Sequence, residues 1–277
     1  MEEKYLSNKN KIYYRKNNFN PKKETIIFVH GVSGSSSAWI PYEKKFEKEF
    51  NILTFDLRGH GKSFRPKKSS DYSLKKSSED LYSLVKHERI SNFFLIGHSF
   101  GNLIILEFLK KHQKMVKAVI FVSVEYAPSK RKSTKSIKPL FVLSPLLRFL
   151  YKKNKNGQVN YSKYKNTSDW NLRRMYADIK NTGLTSFLYS IKNSLNFNAE
   201  NFLIKIKIPV LIVHGQKDTI FPISSAKEMS KKIKGAEFIV IKEANHIIVL
   251  NFFNKLSKII EKFLTKYHKT LRVFTSA

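Results

Sequence analysis

The chain has 277 residues, of which 42% are hydrophobic, and its 52 Lys and Arg against 21 Asp and Glu give a formal charge of +31. This length predicts one large domain or two small ones, and the apolar content excludes wholesale disorder. With no cysteine, the sequence excludes a disulfide framework, a thiolate metal site and a cysteine nucleophile. No run approaches the roughly 18 apolar residues of a membrane-spanning helix, and no secretory signal opens the chain, so we expect a cytoplasmic protein without a transmembrane segment.

The positive charge is spread along the whole chain and is carried mostly by Lys rather than Arg. Asn, Ile, Phe and Tyr are enriched together with Lys, which is the pattern that AT-rich codons produce. We therefore attribute most of the charge to composition and expect no specific nucleic-acid partner. Weak, salt-sensitive association with acidic surfaces or with an acidic carrier protein stays open as an alternative.

Short apolar strands alternate with helices in the first half of the chain. Residues 1–23 are polar apart from one strand-like patch at 11–15, and a buried strand follows over 25–29 and ends in a Gly/Ser loop. The pattern then predicts a helix over 38–50, a strand over 51–55, a helix over 77–88, a strand over 92–96, a helix over 102–112 and a strand over 117–124.

The alternation stops in a basic, aromatic stretch and then resumes. Helices are predicted inside the stretch over 137–151, 168–179 and 182–192, and the later elements are a strand over 209–213, a helix over 224–234, a strand over 237–241 and a closing helix over 249–267. Such alternation predicts an α/β fold with a doubly wound, mostly parallel sheet. We expect a core of residues 1–125 and 198–277, a helical cap inserted at 126–197, and a frayed tail from 268 onward.

One motif carries the chemistry. Gly97-His98-Ser99-Phe100-Gly101 lies between an apolar strand and an apolar helix, where a sharp turn would expose the Ser99 hydroxyl above the edge of the sheet. The N-terminus of the following helix would direct backbone N–H groups at developing negative charge. The motif therefore predicts a nucleophilic serine.

A serine nucleophile needs a histidine base that is oriented by a carboxylate. Asp218 comes just after the strand predicted at 209–213, and His246 comes just after the strand at 237–241. Both would lie at the carboxyl edge of the sheet, beside Ser99. Glu125, at the end of an earlier strand, remains an alternative acid.

At this point the chain resembles the α/β-hydrolase fold superfamily. The matching segments are 30–31, 56–63, 97–101, 214–218 and 245–246, in the family's order. The resemblance implies Ser99 as nucleophile, Asp218 as acid and His246 as base, and it implies an oxyanion hole formed by the backbone N–H groups of Val32 and Phe100. Epoxide hydrolases and dehalogenases of this fold carry Asp at the nucleophile position, so Ser99 disfavours both.

Other residues of the motif segments are expected to be structural. We expect His30 and His98 to pack, and Asp56 with Arg58 to form a salt-bridged loop anchor. Gly61-Lys62-Ser63 resembles the end of a phosphate-binding loop, but Asp56 stands where that motif requires a glycine. The sequence has no convincing ligand cluster for a metal.

These features predict hydrolysis of a carboxylic ester in a small-molecule ester or acyl substrate, through an acyl-enzyme and without a cofactor. The alternatives are a thioesterase, a lactonase or a carbon–carbon bond hydrolase with the same triad, or a ligand receptor of the same fold with slow turnover. The apolar side chains of 140–150 are expected to form the core of a helical cap, and some of them are expected to line and gate an acyl pocket.

Overall fold

One eight-stranded sheet organises residues 1–6, 11–131 and 157–268, which are the residues that the computed structural model describes. The order across the sheet is β1-β2-β4-β3-β5-β6-β7-β8. β1 pairs antiparallel with β2, and β2 with β4, while the remaining neighbours pair in parallel. The strands are β1 (Glu2–Tyr5), β2 (Tyr13–Lys16), β3 (Thr25–Val29), β4 (Asn51–Phe55), β5 (Phe93–His98), β6 (Val116–Val122), β7 (Val210–Gly215) and β8 (Glu237–Ile241).

Helices cover both faces of this sheet. The described helices are α1 (Ile40–Phe46), α2 (Leu74–His87), α3 (Phe100–His112), α4 (Leu172–Thr182), α5 (Leu184–Ser194), α6 (Glu200–Leu203), α7 (Ile223–Lys232), α8 (Ile248–Asn251) and α9 (Phe253–Tyr267). Buried side chains of α2, α3 and α7 form one apolar cluster with the sheet, and those of α1, α8 and α9 form a second cluster. The parallel strands are apolar on both faces because both faces are covered, and the predicted fold class is confirmed.

Several observed elements differ from the predicted ones in their bounds or presence, and three of these differences have a clear local cause. The strand β1 at the chain start was not expected, because its residues are exposed or half-buried and carry little apolar signal. The helix predicted at 38–50 is shorter, since a 3-10 turn at Ser36–Trp39 precedes α1. The closing helix is interrupted at Phe252, whose φ of −124° and ψ of 38° separate α8 from α9.

Between β6 and β7 lie the described residues 157–197, which we call the inserted segment. Two of the predicted helices correspond to α4 and α5, which are separated by Gly183 with φ 86°. The predicted helix at 137–151, with the apolar residues of 140–150, and residues 269–277 of the predicted tail lie outside the described residues. None of the helices described here combines the length and the apolar character needed to cross a bilayer.

Polar contacts attach the inserted segment to the loops of the sheet. The Arg65 guanidinium donates to the backbone carbonyls of Gly59 and Thr182, and at 2.7 Å to that of Asn181. Because Asn181 and Thr182 end α4, this cation lies where the helix dipole is negative. Buried hydroxyls add further links, since Tyr72 Oη lies 2.9 Å from Ser186 Oγ. The inserted segment is therefore held over the carboxyl edge of the sheet.

Candidate active site

Ser99 occupies the sharp turn between β5 and α3. Its φ of 52° and ψ of −119° form a strained backbone conformation that non-glycine residues rarely adopt. A Cβ at position 97 would come within 2.5 Å of Asn102 Oδ1, and a Cβ at Gly101 within 2.7 Å of the His30 carbonyl oxygen. The structure thus has the strand–turn–helix arrangement that the motif predicts, and close packing explains both glycines.

Ser99, His246 and Asp218 lie in one hydrogen-bonded row. Ser99 Oγ is 2.8 Å from His246 Nε2, and His246 Nδ1 is 2.8 Å from Asp218 Oδ2. Asp218 follows β7 and His246 follows β8, so the parallel register brings both to the edge where β5 delivers Ser99. This geometry allows the imidazole to take the serine proton while the carboxylate fixes the imidazole tautomer.

The carboxylate of Asp218 is held in its ionised form. Its Oδ1 accepts the backbone N–H groups of Ile220 at 2.9 Å and Phe221 at 2.8 Å. Burial raises the pKa of Asp218, but the hydrogen bond and charge of His246, together with the Phe221 N–H, outweigh burial and place the pKa below its ordinary value. The group can therefore stabilise a positive charge on His246.

A carboxylate that the sequence analysis missed fixes the backbone of His246. Asp169 Oδ1 accepts the His246 N–H at 2.8 Å, and Asp169 Oδ2 accepts the Thr219 N–H at 2.9 Å and the Thr219 hydroxyl at 2.8 Å. The His246 carbonyl in turn accepts Ser123 Oγ and His98 Nε2, each at 3.0 Å. Asp169 thus joins the inserted segment to the two loops that carry Asp218 and His246.

No motif could have identified Asp169. It belongs to the inserted segment and reaches its partners across 50 and 77 residues of sequence. His98, which we expected to pack, lies beside His246, with the two ring centroids 5.2 Å apart. Burial, together with the nearby His246, lowers the pKa of His98 to about 3. A neutral His98 can donate from Nε2 to the His246 carbonyl without placing a second positive charge there.

The backbone N–H groups expected to form an oxyanion hole belong to Val32, in the loop after β3, and to Phe100, the first residue of α3. Both residues line the same cavity as Ser99. The loop that carries Val32 is fixed by His30, whose Nε2 accepts the Leu57 N–H at 3.0 Å and whose Nδ1 lies 2.7 Å from the Gly31 carbonyl oxygen. His30 is therefore structural, as expected, and its pKa is lowered by burial.

A cavity of about 530 Å³ adjoins Ser99 and His246. Loops of the sheet and both helices of the inserted segment contribute to its walls. Its apolar lining includes Trp39, Leu103, Met175, Phe187, Ile191 and Leu195. A cavity of this size and character suits an acyl chain or another apolar group of a small molecule.

One polar cluster interrupts the apolar wall. Tyr161 Oη donates to Asp178 Oδ1 at 2.8 Å, and Arg174 Nη1 donates to Asp178 Oδ2 at 3.2 Å. Burial raises the pKa of Asp178 to about 6, although its two partners act in the opposite direction. The three side chains line the cavity, so they present a polar contact to whatever occupies it.

Glu125, the alternative to Asp218, is hydrogen-bonded to groups other than His246. Glu125 Oε1 accepts the backbone N–H groups of Tyr126 and Ala127 and, at 2.8 Å, the Ser225 hydroxyl. These contacts hold the chain where it leaves β6. Asp218, by contrast, is hydrogen-bonded to His246, so the geometry favours it over Glu125 as the acid.

The expected salt bridge between Asp56 and Arg58 is wrong. Arg58 Nε pairs instead with Asp80 at 2.7 Å, and Asp56 accepts the backbone N–H groups of Ser36 at 2.6 Å and Lys62 at 2.8 Å. Both residues still anchor loops, but with different partners, because the side chains leave the strand end in different directions. Within residues 1–6, 11–131 and 157–268 no group of three or more His, Asp or Glu could hold a metal ion.

Comparison with known proteins supports the fold. Residues 24–252 match the family model of the α/β-hydrolase fold. A metagenomic α/β-hydrolase enzyme from the Medee basin, of solved structure, superposes with a TM-score of 0.78 at 20% identity, covering 94% of this chain and 96% of that one. At this identity the likeness concerns the fold alone.

Two curated relatives carry enzymatic names. The probable lysophospholipase BODYGUARD 4 of Arabidopsis thaliana is 36% identical over 109 residues, which are 38% of this chain and 26% of that protein. Epoxide hydrolase 1 of Caenorhabditis elegans is 21% identical over 266 residues, covering 88% of this chain and 66% of that protein. The matches thus span less than two thirds of either relative. With a family model that covers most of its length, the chain belongs to the α/β-hydrolase fold family.

Proposed function

We propose that this α/β-hydrolase is a serine hydrolase that cleaves a carboxylic ester through an acyl-enzyme on Ser99. The observation that supports it best is the unbroken row from Ser99 Oγ through the His246 imidazole to Asp218, beside a largely apolar cavity. A serine in this environment attacks acyl carbonyl carbons, and the cavity has room for the acyl group.

In the proposed mechanism, His246 Nε2 takes the Ser99 proton as Oγ attacks the ester carbonyl. The N–H groups of Val32 and Phe100 hold the oxyanion of the tetrahedral intermediate, and one such donor is typically worth about 3–4 kcal/mol. The imidazolium then protonates the leaving alcohol, and the neutral imidazole activates water to release the acid. Asp218 stabilises the imidazolium throughout, and the side chains named here need no cofactor.

The choice of an ester over an epoxide rests on the nucleophile. The Arabidopsis relative is named a probable lysophospholipase, and lysophospholipases cleave a carboxylic ester. The Caenorhabditis relative is named an epoxide hydrolase. In this chain, however, Ser99 occupies the turn between β5 and α3, where the epoxide hydrolases of this fold carry an aspartate. A serine alkoxide suits acyl transfer, whereas an aspartate suits displacement at an alkyl carbon.

We further propose that residues 126–197 act as a cap that selects the substrate. The described helices α4 and α5 contribute Met175, Ile179, Phe187 and Ile191 to the cavity wall, so the inserted segment determines the size of the acyl group. A cytoplasmic location remains an expectation from the sequence.

The test is hydrolysis of p-nitrophenyl esters of increasing acyl length by the wild type and by Ser99→Ala. We expect turnover with a chain-length optimum, a loss of at least about a thousandfold in the variant, and fluorophosphonate labelling of the wild type only. Equal rates in both proteins would refute the proposal. Preference for thioesters, lactones or carbon–carbon substrates would keep Ser99 but change the substrate class, and ligand-induced stabilisation without turnover would favour a receptor.

A further inference from the structure

The outer side of the inserted segment exposes large apolar side chains. Trp170 is 60% exposed, Leu172 78% and Tyr176 62%, and these are three of the six exposed large hydrophobic residues in the described part of the chain. They fall within seven consecutive positions, and Leu172 and Tyr176 are four residues apart on α4, hence on one face of it. We call these three residues the outer patch. Clustered exposure of this kind marks an interaction site more often than isolated exposure does.

The helix α4 exposes two of its apolar side chains, Leu172 and Tyr176. Its buried residues are all polar, namely Arg174, Asp178, Asn181 and Thr182, while Met175 and Ile179 line the cavity. Three of these buried residues have internal partners, since Arg174 pairs with Asp178 at 3.2 Å and Thr182 Oγ1 donates to the Ser33 carbonyl at 2.7 Å. The apolar residues of the outer patch therefore contribute little to packing inside the molecule, and something outside it must account for them.

Every exposed charge on the inserted segment is positive. Its two carboxylates, Asp169 and Asp178, are buried and hydrogen-bonded to protein groups. The exposed charged residues are Lys163, Lys165, Arg173, Lys180 and Lys192. Lys180 Nζ also lies 5.8 Å from the centroid of the Tyr176 ring, so cation and apolar patch are adjacent. The surface at the outer patch thus combines exposed apolar groups with the exposed cations Arg173 and Lys180 of the same helix.

The outer patch adjoins the cavity. Trp170 lines the cavity, and its indole N–H donates to Thr219 Oγ1 at 3.0 Å. Thr219 is the residue after Asp218, and the neighbour of Trp170 is Asp169, which holds the His246 N–H. A ligand that covers the outer patch would therefore reach the cavity directly.

We propose that the outer patch docks the protein on the surface of an anionic lipid bilayer. Such a surface accepts apolar side chains at the headgroup boundary and attracts the surrounding cations, so it satisfies both properties of the patch. A second copy of the chain would place like charges against each other, and an acidic polymer would leave Leu172 and Tyr176 unburied. The proposal concerns binding and does not depend on which ester, if any, the protein cleaves.

The chain offers its own fluorescent reporter for the test. It has two tryptophans, and Trp39 is fully buried, so a change of emission on binding reports Trp170. The full chain is titrated with vesicles of phosphatidylcholine, with and without phosphatidylglycerol, at low and high salt, and sedimented with the same vesicles. We expect a blue shift and co-sedimentation with the anionic vesicles, both weakened by salt.

Matched variants separate the outer patch from the overall charge. Leu172→Ser with Tyr176→Ser should weaken vesicle binding about tenfold or more, because both side chains lose their apolar contact with lipid. The control is Ile204→Ser, which removes a side chain that is 63% exposed after α6, and its binding should equal the wild type. Arg173→Gln with Lys180→Gln should reduce the preference for phosphatidylglycerol.

Three results would overturn the proposal. The first is unchanged vesicle binding in the Leu172 and Tyr176 variant, which would assign binding to the formal charge of +31 as a whole. The second is an equal blue shift of Trp170 with soluble polyglutamate, which would point to an acidic polymer. The third is self-association of the lipid-free wild type that the variant abolishes, which would point to a second copy.

Discussion

Asp169 offers a direct test of how the inserted segment supports the site. Its carboxylate accepts two backbone N–H groups, those of His246 and Thr219, from the loops that carry the proposed base and acid. Asp169→Ala removes both acceptors, and Asp169→Asn keeps one acceptor oxygen and replaces the other by a donor. The alanine variant should therefore be more severe than the asparagine variant.

The magnitude follows from the orphaned groups. The His246 N–H is buried, and a buried donor that loses its acceptor costs about 1–3 kcal/mol, so about that much local stability is at risk in Asp169→Ala. If about 2 kcal/mol of this is lost from the alignment of His246 with Ser99, kcat falls roughly thirtyfold, with a smaller change in KM.

The assay is steady-state hydrolysis of the best p-nitrophenyl ester, with thermal unfolding measured in parallel. The matched control is Asp71→Asn, which removes a surface carboxylate paired with Lys76 and should leave kcat unchanged. If Asp169→Ala lowers only the thermal midpoint, with kcat intact, then Asp169 serves the fold and the reasoning is refuted.

Two further predictions concern stability. Replacing a helical glycine by alanine ordinarily stabilises by about 1 kcal/mol, but Gly101→Ala would bring a Cβ within 2.7 Å of the Val29 and His30 carbonyl oxygens, so we expect net destabilisation of about 1–3 kcal/mol in urea unfolding. A midpoint equal to or above that of the wild type would contradict this. Burial raises the pKa of Asp178 from 3.8 to about 6, so the folded state binds the carboxyl proton more tightly than the unfolded state does. The protonated carboxyl therefore stabilises the folded state below pH 3.8, and this stabilisation is lost as the pH rises from 3.8 to about 6. Over that interval the free energy of unfolding of the wild type should fall by about 3 kcal/mol relative to Asp178→Asn, and a difference that does not vary with pH would show that the carboxyl is not perturbed.

The central elements of the fold could be predicted because their signals are local. The strands over 25–29, 51–55 and 237–241 have the predicted bounds, since each is a short apolar run with clear punctuation at its ends. β1 could not be predicted in this way, because its exposed or half-buried residues show no apolar pattern. The strand is held instead by backbone pairing with β2. The predicted pairing of Arg58 with Asp56 was wrong for a related reason, since closeness in sequence does not determine which side chains meet.

The sequence by itself predicted the sharp turn at Ser99 and the positions of Asp218 and His246 after their strands. The turn needs small residues at fixed spacing from Ser99, and parallel strands bring their carboxyl ends to one edge, so both features are written in local patterns. The tertiary structure alone decided that Asp169 holds the His246 N–H and that the cavity wall contains Asp178. The partners of Asp169 lie 50 and 77 positions away in the sequence, and they are selected by packing in three dimensions rather than by spacing along the chain.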